Sequence, residues 1–230
     1  MITNLHTPKI TATVVLGGHL DVGEWVKIVT MKSDFVIAAD KGVTHCLNLS
    51  IHPILCVGDY DSVATSDLNK AYQLGWNIIS FPSDKDMTDG ALAIQEAINR
   101  GAQRIYLLAG FTGDNRIDHS LSHFFQIARF SETGIDIRMV DHDKQAYMLT
   151  PGITHSISGR RNASLSLIPI DKNVTGVSTK GLRYELTDES LDFGSTRSLS
   201  NEMLHQSAII HIQTGLLLVV IVDANLIQTI

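Results

Sequence analysis

Asp59 and Asp61 stand one residue apart in the stretch Gly58-Asp59-Tyr60-Asp61-Ser62, directly after the apolar run Ile54-Leu55-Cys56-Val57. Two carboxylates at that spacing in a tight turn can share a hard cation, typically Mg²⁺ carrying phosphate oxygens. The apolar run reads as a strand covered on both faces, and the carboxyl ends of such strands are where open α/β sheets place their ligands. Asp and Ser are also ordinary turn residues, so the turn gains meaning from its company. Asp40 follows the apolar run 35–39, Lys85 and Asp89 follow the run 77–81, and Arg116, Asp118 and His119 follow the run 104–108. Four consecutive strands thus deliver Asp, Lys or Arg to one rim of a sheet. So many carboxylates repel one another unless a cation binds among them, which points to a metal. Lys85, a point charge, and Arg116, a planar fork, suit phosphate oxygens.

Each of these residues has a plainer alternative. Asp89 and Asp118 could cap helices, Asp40 could be a loop residue, and Lys85 could be a solvated surface lysine. Gly17-Gly18, after the first apolar run, leaves room for a ligand, yet any β–α turn can use glycine. The ten histidines are scattered without metal-ligand spacing. His119 stands apart because it adjoins Asp118, with orientation or capping as its first role.

The elements that must position these groups can be read from the same runs. Residues 13–16, 35–39, 54–57, 77–81, 104–108 and 136–140 are strand-like and separated by helix-length connections, the pattern of βαβ units and a parallel sheet. Two helices are explicit. One starts after Thr88 as N-cap, carries Ala91, Ile94, Ala97 and Ile98 on one face and stops at Gly101. The other starts near Asp118 with Leu121, Phe124, Phe125 and Ala128 as its core stripe. Near residue 150 the texture changes. Pro151-Gly152 is followed by short alternating runs with Gly and Ser between them, and nothing helical. The expected fold is an α/β protein with an N-terminal mostly parallel sheet and flanking helices, plus a C-terminal antiparallel β-sandwich domain. The expected domains are 1–148, the α/β part that carries the metal- and phosphate-binding rim, and 149–230, the β part.

Composition bounds the rest. With 230 residues, 44% hydrophobic and 18% charged, the chain has enough apolar material for a core. A net charge of −6 without a Lys/Arg cluster argues against nucleic acid as partner. Cys46 and Cys56 fit neither a disulfide framework nor a C-x-x-C site and read as buried thiols in a reducing compartment. The N-terminus lacks the pattern of a signal peptide, and the longest apolar run, 216–222, is too short to span a bilayer. The expectation is a cytoplasmic protein without membrane contact.

Five motifs in order resemble one family. Asp59-Tyr60-Asp61-Ser62, Lys85 to Asp89, Arg116 to His119, Gly181 to Leu186 and Ser198 to Glu202 are similar to those of thiamine pyrophosphokinases, and Pro53 and Ala39-Asp40 also match. The chain departs from the family pattern at four places. Lys41 stands where Gly is usual, Asp114-Asn115 where a single glycine is usual, His123 where Asn is common and Glu185 where Pro is common. The resemblance implies transfer of pyrophosphate from ATP to the hydroxyl of thiamine, giving thiamine diphosphate and AMP. It implies Mg²⁺ on Asp59, Asp61 and Asp89, and phosphate contacts from Lys85 and Arg116. Nucleotide contacts fall to Gly17, Gly18, Asp40, Asp118 and His119, and thiamine contacts to Ser200 and Asn201 at a homodimer interface; no aromatic is assigned to stack on the substrate. A phosphatase using Asp59 as nucleophile and a non-catalytic thiamine or nucleotide sensor are the rival readings.

Overall fold

A computed structural model describes residues 9–111, 116–224 and 226. The loop substitution at Asp114-Asn115 lies outside these described residues. Six strands form the parallel half of the fold: β1 (Thr11–Val15), β2 (Phe35–Ala39), β3 (Leu55–Gly58), β4 (Ile78–Ser80), β5 (Arg104–Leu108) and β6 (Asp136–Val140). They lie in the order β6-β5-β1-β2-β3-β4, with all pairings parallel. The connections carry α1 (Glu24–Met31), α2 (Gly42–Leu49), α3 (Thr65–Gln73), α4 (Asp89–Asn99) and α5 (Ile117–Ser131). β1 pairs with β2 on one side and β5 on the other, so the strand order reverses there and opens a crevice at the carboxyl ends.

The sheet does not stop at β6. β7 (Lys144–Leu149) turns back antiparallel, and β14 (Leu217–Val222), β9 (Ser164–Pro169) and β12 (Asn201–Glu202) follow to make ten strands. A second, antiparallel sheet of β8 (Thr154–Ser158), β10 (Asn173–Lys180), β11 (Glu189–Asp192) and β13 (Ser207–His211) completes the fold. Period-2 alternation lets one strand serve two cores. On β7, Ala146 and Met148 join the core around the parallel strands, whereas Tyr147 and Leu149 join the core of the sandwich. On β14, Leu218 faces the first core while Leu217, Val219 and Ile221 face the second. The expected boundary at 148/149 falls inside β7, so hydrogen bonding is continuous across it.

The helix starting after Thr88 behaves as expected. Thr88 accepts a bond from the Ala91 N–H at 3.2 Å, and Gly101 ends the segment with φ +88°. The stripe expected on α5 needs correction, because Leu121 and Phe125 are exposed. The buried residues there are His123, Ile127, Ala128 and Ser131, at i, i+4, i+5 and i+8, so the core face is rotated from the one drawn through the largest side chains. Cys46 and Cys56 are free and buried, and burial pushes the Cys56 thiol up to about 12. No helix among the described residues is long and apolar enough to cross a membrane.

Candidate active site

Three strand ends turn through the left-handed backbone region at residues that are not glycine: Asp40 after β2 (φ 46°), Tyr60 after β3 (φ 62°) and Ala109 after β5 (φ 58°). Each costs of order 1–3 kcal/mol unless its surroundings fix it, and such residues cluster at functional sites. Tyr60 is fixed by its side chain, which is buried in the core and donates its hydroxyl to Ile79 O at 3.1 Å. That anchor lifts Asp59 and Asp61 on either side of it out of the sheet. Gly58 is required beneath them, since a Cβ there would lie 3.1 Å from Asp40 Cα. The close approach brings Asp40, from the neighbouring strand, over the same point.

Carboxylate oxygens of Asp40, Asp59 and Asp89 consequently lie within 4.8 Å of one another. Ser62 Oγ donates to Asp40 Oδ2 in a short hydrogen bond, and the Asp61 N–H donates to Asp59 Oδ1 at 3.2 Å. Lys85 Nζ sits 3.4 Å from Asp59 Oδ2 and 3.2 Å from Asp89 Oδ1, and donates to Pro82 O at 3.0 Å. The contact to Asp89 is an ion pair without hydrogen-bond geometry. Asp40 Oδ1 and Asp89 Oδ1 are thus buried oxygens with no hydrogen-bond partner among the described residues.

The electrostatics separate the two carboxylates that Lys85 bridges. The Asp61 N–H, joined by Ser83 and Lys85, holds Asp59 below the ordinary carboxylate range. Burial, joined by repulsion from Asp59 and Asp40, pushes Asp89 above it despite the same lysine. Burial works against the charge on Lys85, but Asp89 and Asp59 outweigh it and hold the lysine above its ordinary value. Three hard oxygen donors, with Asp40 Oδ1 buried and unpartnered and Asp89 Oδ1 held by the Lys85 ion pair, suit a divalent cation taking oxygen ligands. Such an ion fits these residues.

A cleft of about 630 Å³ opens over this trio. Of the residues expected from the sequence, Gly17, Gly18, Asp40, Asp59, Asp61, Lys85, Asp89, Arg116 and His119 line it. Asp118 is not in the lining. It pairs with Arg116, at 3.1 Å to Nε and 3.2 Å to Nη2, while Arg116 also makes a very short contact with His119. Asp61 lines the cleft without belonging to the close trio, whose third member is Asp40. Sequence reasoning missed Ser62 as the group that orients Asp40, although it stood inside the Asp59–Ser62 motif. Lys41 and His123, seen in the sequence only as departures from a pattern, both line the cleft.

Ser200 and Asn201 are not near these groups. Asn201 is on β12, at the far edge of the ten-stranded sheet, with β9, β14, β7 and β6 between it and β5. Five strand spacings of 4.7–4.9 Å put β12 about 24 Å from β5 along the sheet. The Asn201 amide is buried and engaged: Oδ1 accepts from the Tyr184 and Glu202 N–H groups, and Nδ2 donates to Tyr184 O at 2.7 Å. Ser200 is exposed, with φ 53°, and its N–H donates to Ser166 Oγ at 2.9 Å.

Two family models match this chain. One, described as "Thiamin pyrophosphokinase, catalytic domain", covers residues 26–139, and another, "Thiamin pyrophosphokinase, vitamin B1 binding domain", covers 154–217. Together they span more than half of the chain. The chain belongs to the thiamin pyrophosphokinase family. The thiamine pyrophosphokinase of Bacillus subtilis (strain 168) is 26% identical over 210 residues, covering 91% of this chain and 97% of that protein. A Caenorhabditis elegans thiamin pyrophosphokinase is 26% identical over 184 residues, covering 75% of this chain and 72% of that one. The crystal structure of the B. subtilis protein shares the fold, with a TM-score of 0.84 at 24% identity over 93% of this chain and 99% of that chain. In this thiamin pyrophosphokinase family member the catalytic-domain match contains the acidic trio, Lys85 and Arg116, whereas Tyr184, Ser200 and Asn201 fall in the vitamin B1 binding match.

Proposed function

We propose that this protein transfers the pyrophosphoryl group of ATP to the hydroxyl of thiamine, giving thiamine diphosphate and AMP. The observation that carries the reading is the meeting of Asp40, Asp59 and Asp89 with Lys85 at the strand ends of a switch-point crevice, in a chain of this family. Mg²⁺ is the metal in this reading, held by Asp59, Asp61 and Asp89 with Asp40 beside them. When bound it neutralises phosphate oxygens, and phosphoryl-group transfer needs little beyond such neutralisation and positioning. Lys85 neutralises a further phosphate oxygen, and its two carboxylate partners hold it charged. Arg116, oriented by Asp118 and flanked by His119, contacts phosphates from the α5 side. Gly17 and Gly18 let the nucleotide approach the end of β1. The thiamine oxygen attacks the β-phosphorus in line, and the bond to the AMP oxygen breaks.

Thiamine falls to the second half of the chain, residues 149–230, with residues 1–148 serving nucleotide and metal. Ser200 faces solvent, and Asn201 holds the backbone of Tyr184, an exposed ring able to stack on an aromatic substrate. The span between β12 and β5 separates these groups from the cleft within one chain, which supports a homodimer in which each site draws on both subunits. Exposed apolar side chains on this half, among them Tyr184, Leu199 and Leu204, support an interface there. We place the enzyme in the cytoplasm. Incubation with ATP, Mg²⁺ and thiamine tests the reading: AMP together with thiamine diphosphate supports it. Inorganic phosphate alone would instead indicate a phosphatase, and binding without turnover a sensor.

A further inference from the structure

His123 is nine-tenths buried on α5 and lines the cleft. Its Nδ1 lies 3.1 Å from Gly110 O. A carbonyl oxygen only accepts, so Nδ1 carries the proton in that bond. Burial, with His119 beside it, lowers the pKa of the ring and keeps it neutral near pH 7. Nε2 is therefore the unprotonated acceptor of a ring that lines the cleft. It points toward the first turn of α4, where a Cβ at Gly90 would lie 3.7 Å from it. An imidazole lone pair repels phosphate oxygens, which are acceptors too, so its partner on a substrate is an N–H or O–H group.

We propose that His123 is a specificity-determining residue whose Nε2 accepts a hydrogen bond from an N–H or O–H donor on the nucleoside of the nucleotide. This rests on the reading of ATP as substrate. Asp40, Asp59, Asp89 and Lys85 bring the charge that suits metal and phosphate, whereas the neutral His123, like Leu16 and Ala109, adds none to the cleft lining, so an uncharged base or ribose suits it. Asparagine, common at this position in the resemblance, can turn its amide to offer a donor or an acceptor. The Gly110 bond fixes His123 as an acceptor, which narrows the choice of nucleotide.

The test compares ATP with ITP, in which a carbonyl replaces the base amino group, and with 2′-dATP and 3′-dATP, which lack one ribose hydroxyl each. kcat/KM and equilibrium binding are measured for the full-length wild type, His123→Gln, His123→Asn and His123→Leu. Wild type should favour ATP over one of these analogues by about five- to tenfold, the worth of one hydrogen bond. His123→Leu should erase that preference, and His123→Gln, which can return an acceptor near Nε2, should restore part of it. The thiamine KM should stay within about twofold. Loss of the ITP preference identifies the base amino group, and loss of a deoxynucleotide preference identifies the ribose. Equal ratios across the panel in wild type and His123→Leu, or an effect confined to thiamine KM, overturn the proposal. If His123→Leu does not fold, His123→Asn, which can keep the Gly110 bond, carries the comparison. Absence of AMP formation from ATP and thiamine would sink the pyrophosphokinase reading, while nucleotide binding would still report on His123.

Discussion

Replacing Asp40 by asparagine should make the protein more stable without metal and nearly inactive with it. At an effective dielectric of about 20, two unit charges 4.8 Å apart repel by about 3.5 kcal/mol. Asp40 has two such neighbours, Asp59 and Asp89. Lys85 bridges both and offsets most of the repulsion, and cleft water screens more, leaving about 2–3 kcal/mol to be released on neutralisation. The Ser62 hydrogen bond then meets a neutral acceptor in place of a carboxylate, at a cost of about 1 kcal/mol. The net gain of about 1–2 kcal/mol corresponds to a rise of about 2–8 °C in Tm for a chain of this size. Thermal unfolding with EDTA and with Mg²⁺ reads both halves of the prediction. Wild type should gain stability with Mg²⁺, whereas Asp40→Asn should start higher and gain less, with AMP formation down at least about a hundredfold. A variant less stable than wild type in EDTA, or one with an undiminished Mg²⁺ response, would refute the repelling trio.

Asp61→Asn should abolish turnover at limiting Mg²⁺ while leaving Tm within about 2 °C of wild type, because Asp61 lines the cleft outside the close trio; AMP release and thermal unfolding measured together check this. Asp136→Asn should destabilise the fold near neutral pH. Burial opposes the charge of Asp136, but Arg138 and Arg104 outweigh it and hold the carboxyl below its ordinary value. A depressed folded pKa means this stability is present above the unfolded value of about 4 and disappears as pH falls through the folded one, so the gap between variant and wild type in denaturant midpoint should close in acid. Tyr184→Ala should raise the thiamine KM with the ATP KM unchanged, and mixing it with Asp61→Asn should restore activity on subunit exchange if sites are shared between chains. No recovery after verified exchange would confine each site to one subunit.

The parallel strands were legible because runs such as Phe35–Ala39 and residues 105–108 are apolar at successive positions, as a strand covered on both faces requires. β7 was not, because Lys144 and Gln145 open it and its other residues alternate between two cores, so no single face stands out. Its pairing with β14, some seventy residues later, is a long-range choice that local pattern cannot encode. The phase of α5 misled for a related reason: Leu121 and Phe125 are large and apolar, and size was taken for burial. At the site, charged residues at strand ends were readable one by one. What was hidden was geometry: that Gly58 admits Asp40 over β3, that Ser62 orients it, and that Gly110 fixes His123.

The strained turns and the acidic trio share a cause. A metal site at a strand end needs carboxylates aimed upward from adjacent strands, and an extended backbone would alternate them to opposite faces of the sheet. The left-handed residues at Asp40 and Tyr60 break that alternation. The strain is held by burial of Tyr60 and by its bond to Ile79, contacts that belong to the core and not to the ligand. The site is therefore assembled before any cation arrives, and its unmet cost is the repulsion among Asp40, Asp59 and Asp89. A bound cation relieves that repulsion without moving the backbone, which is how a rigid strand-end site couples metal affinity to stability.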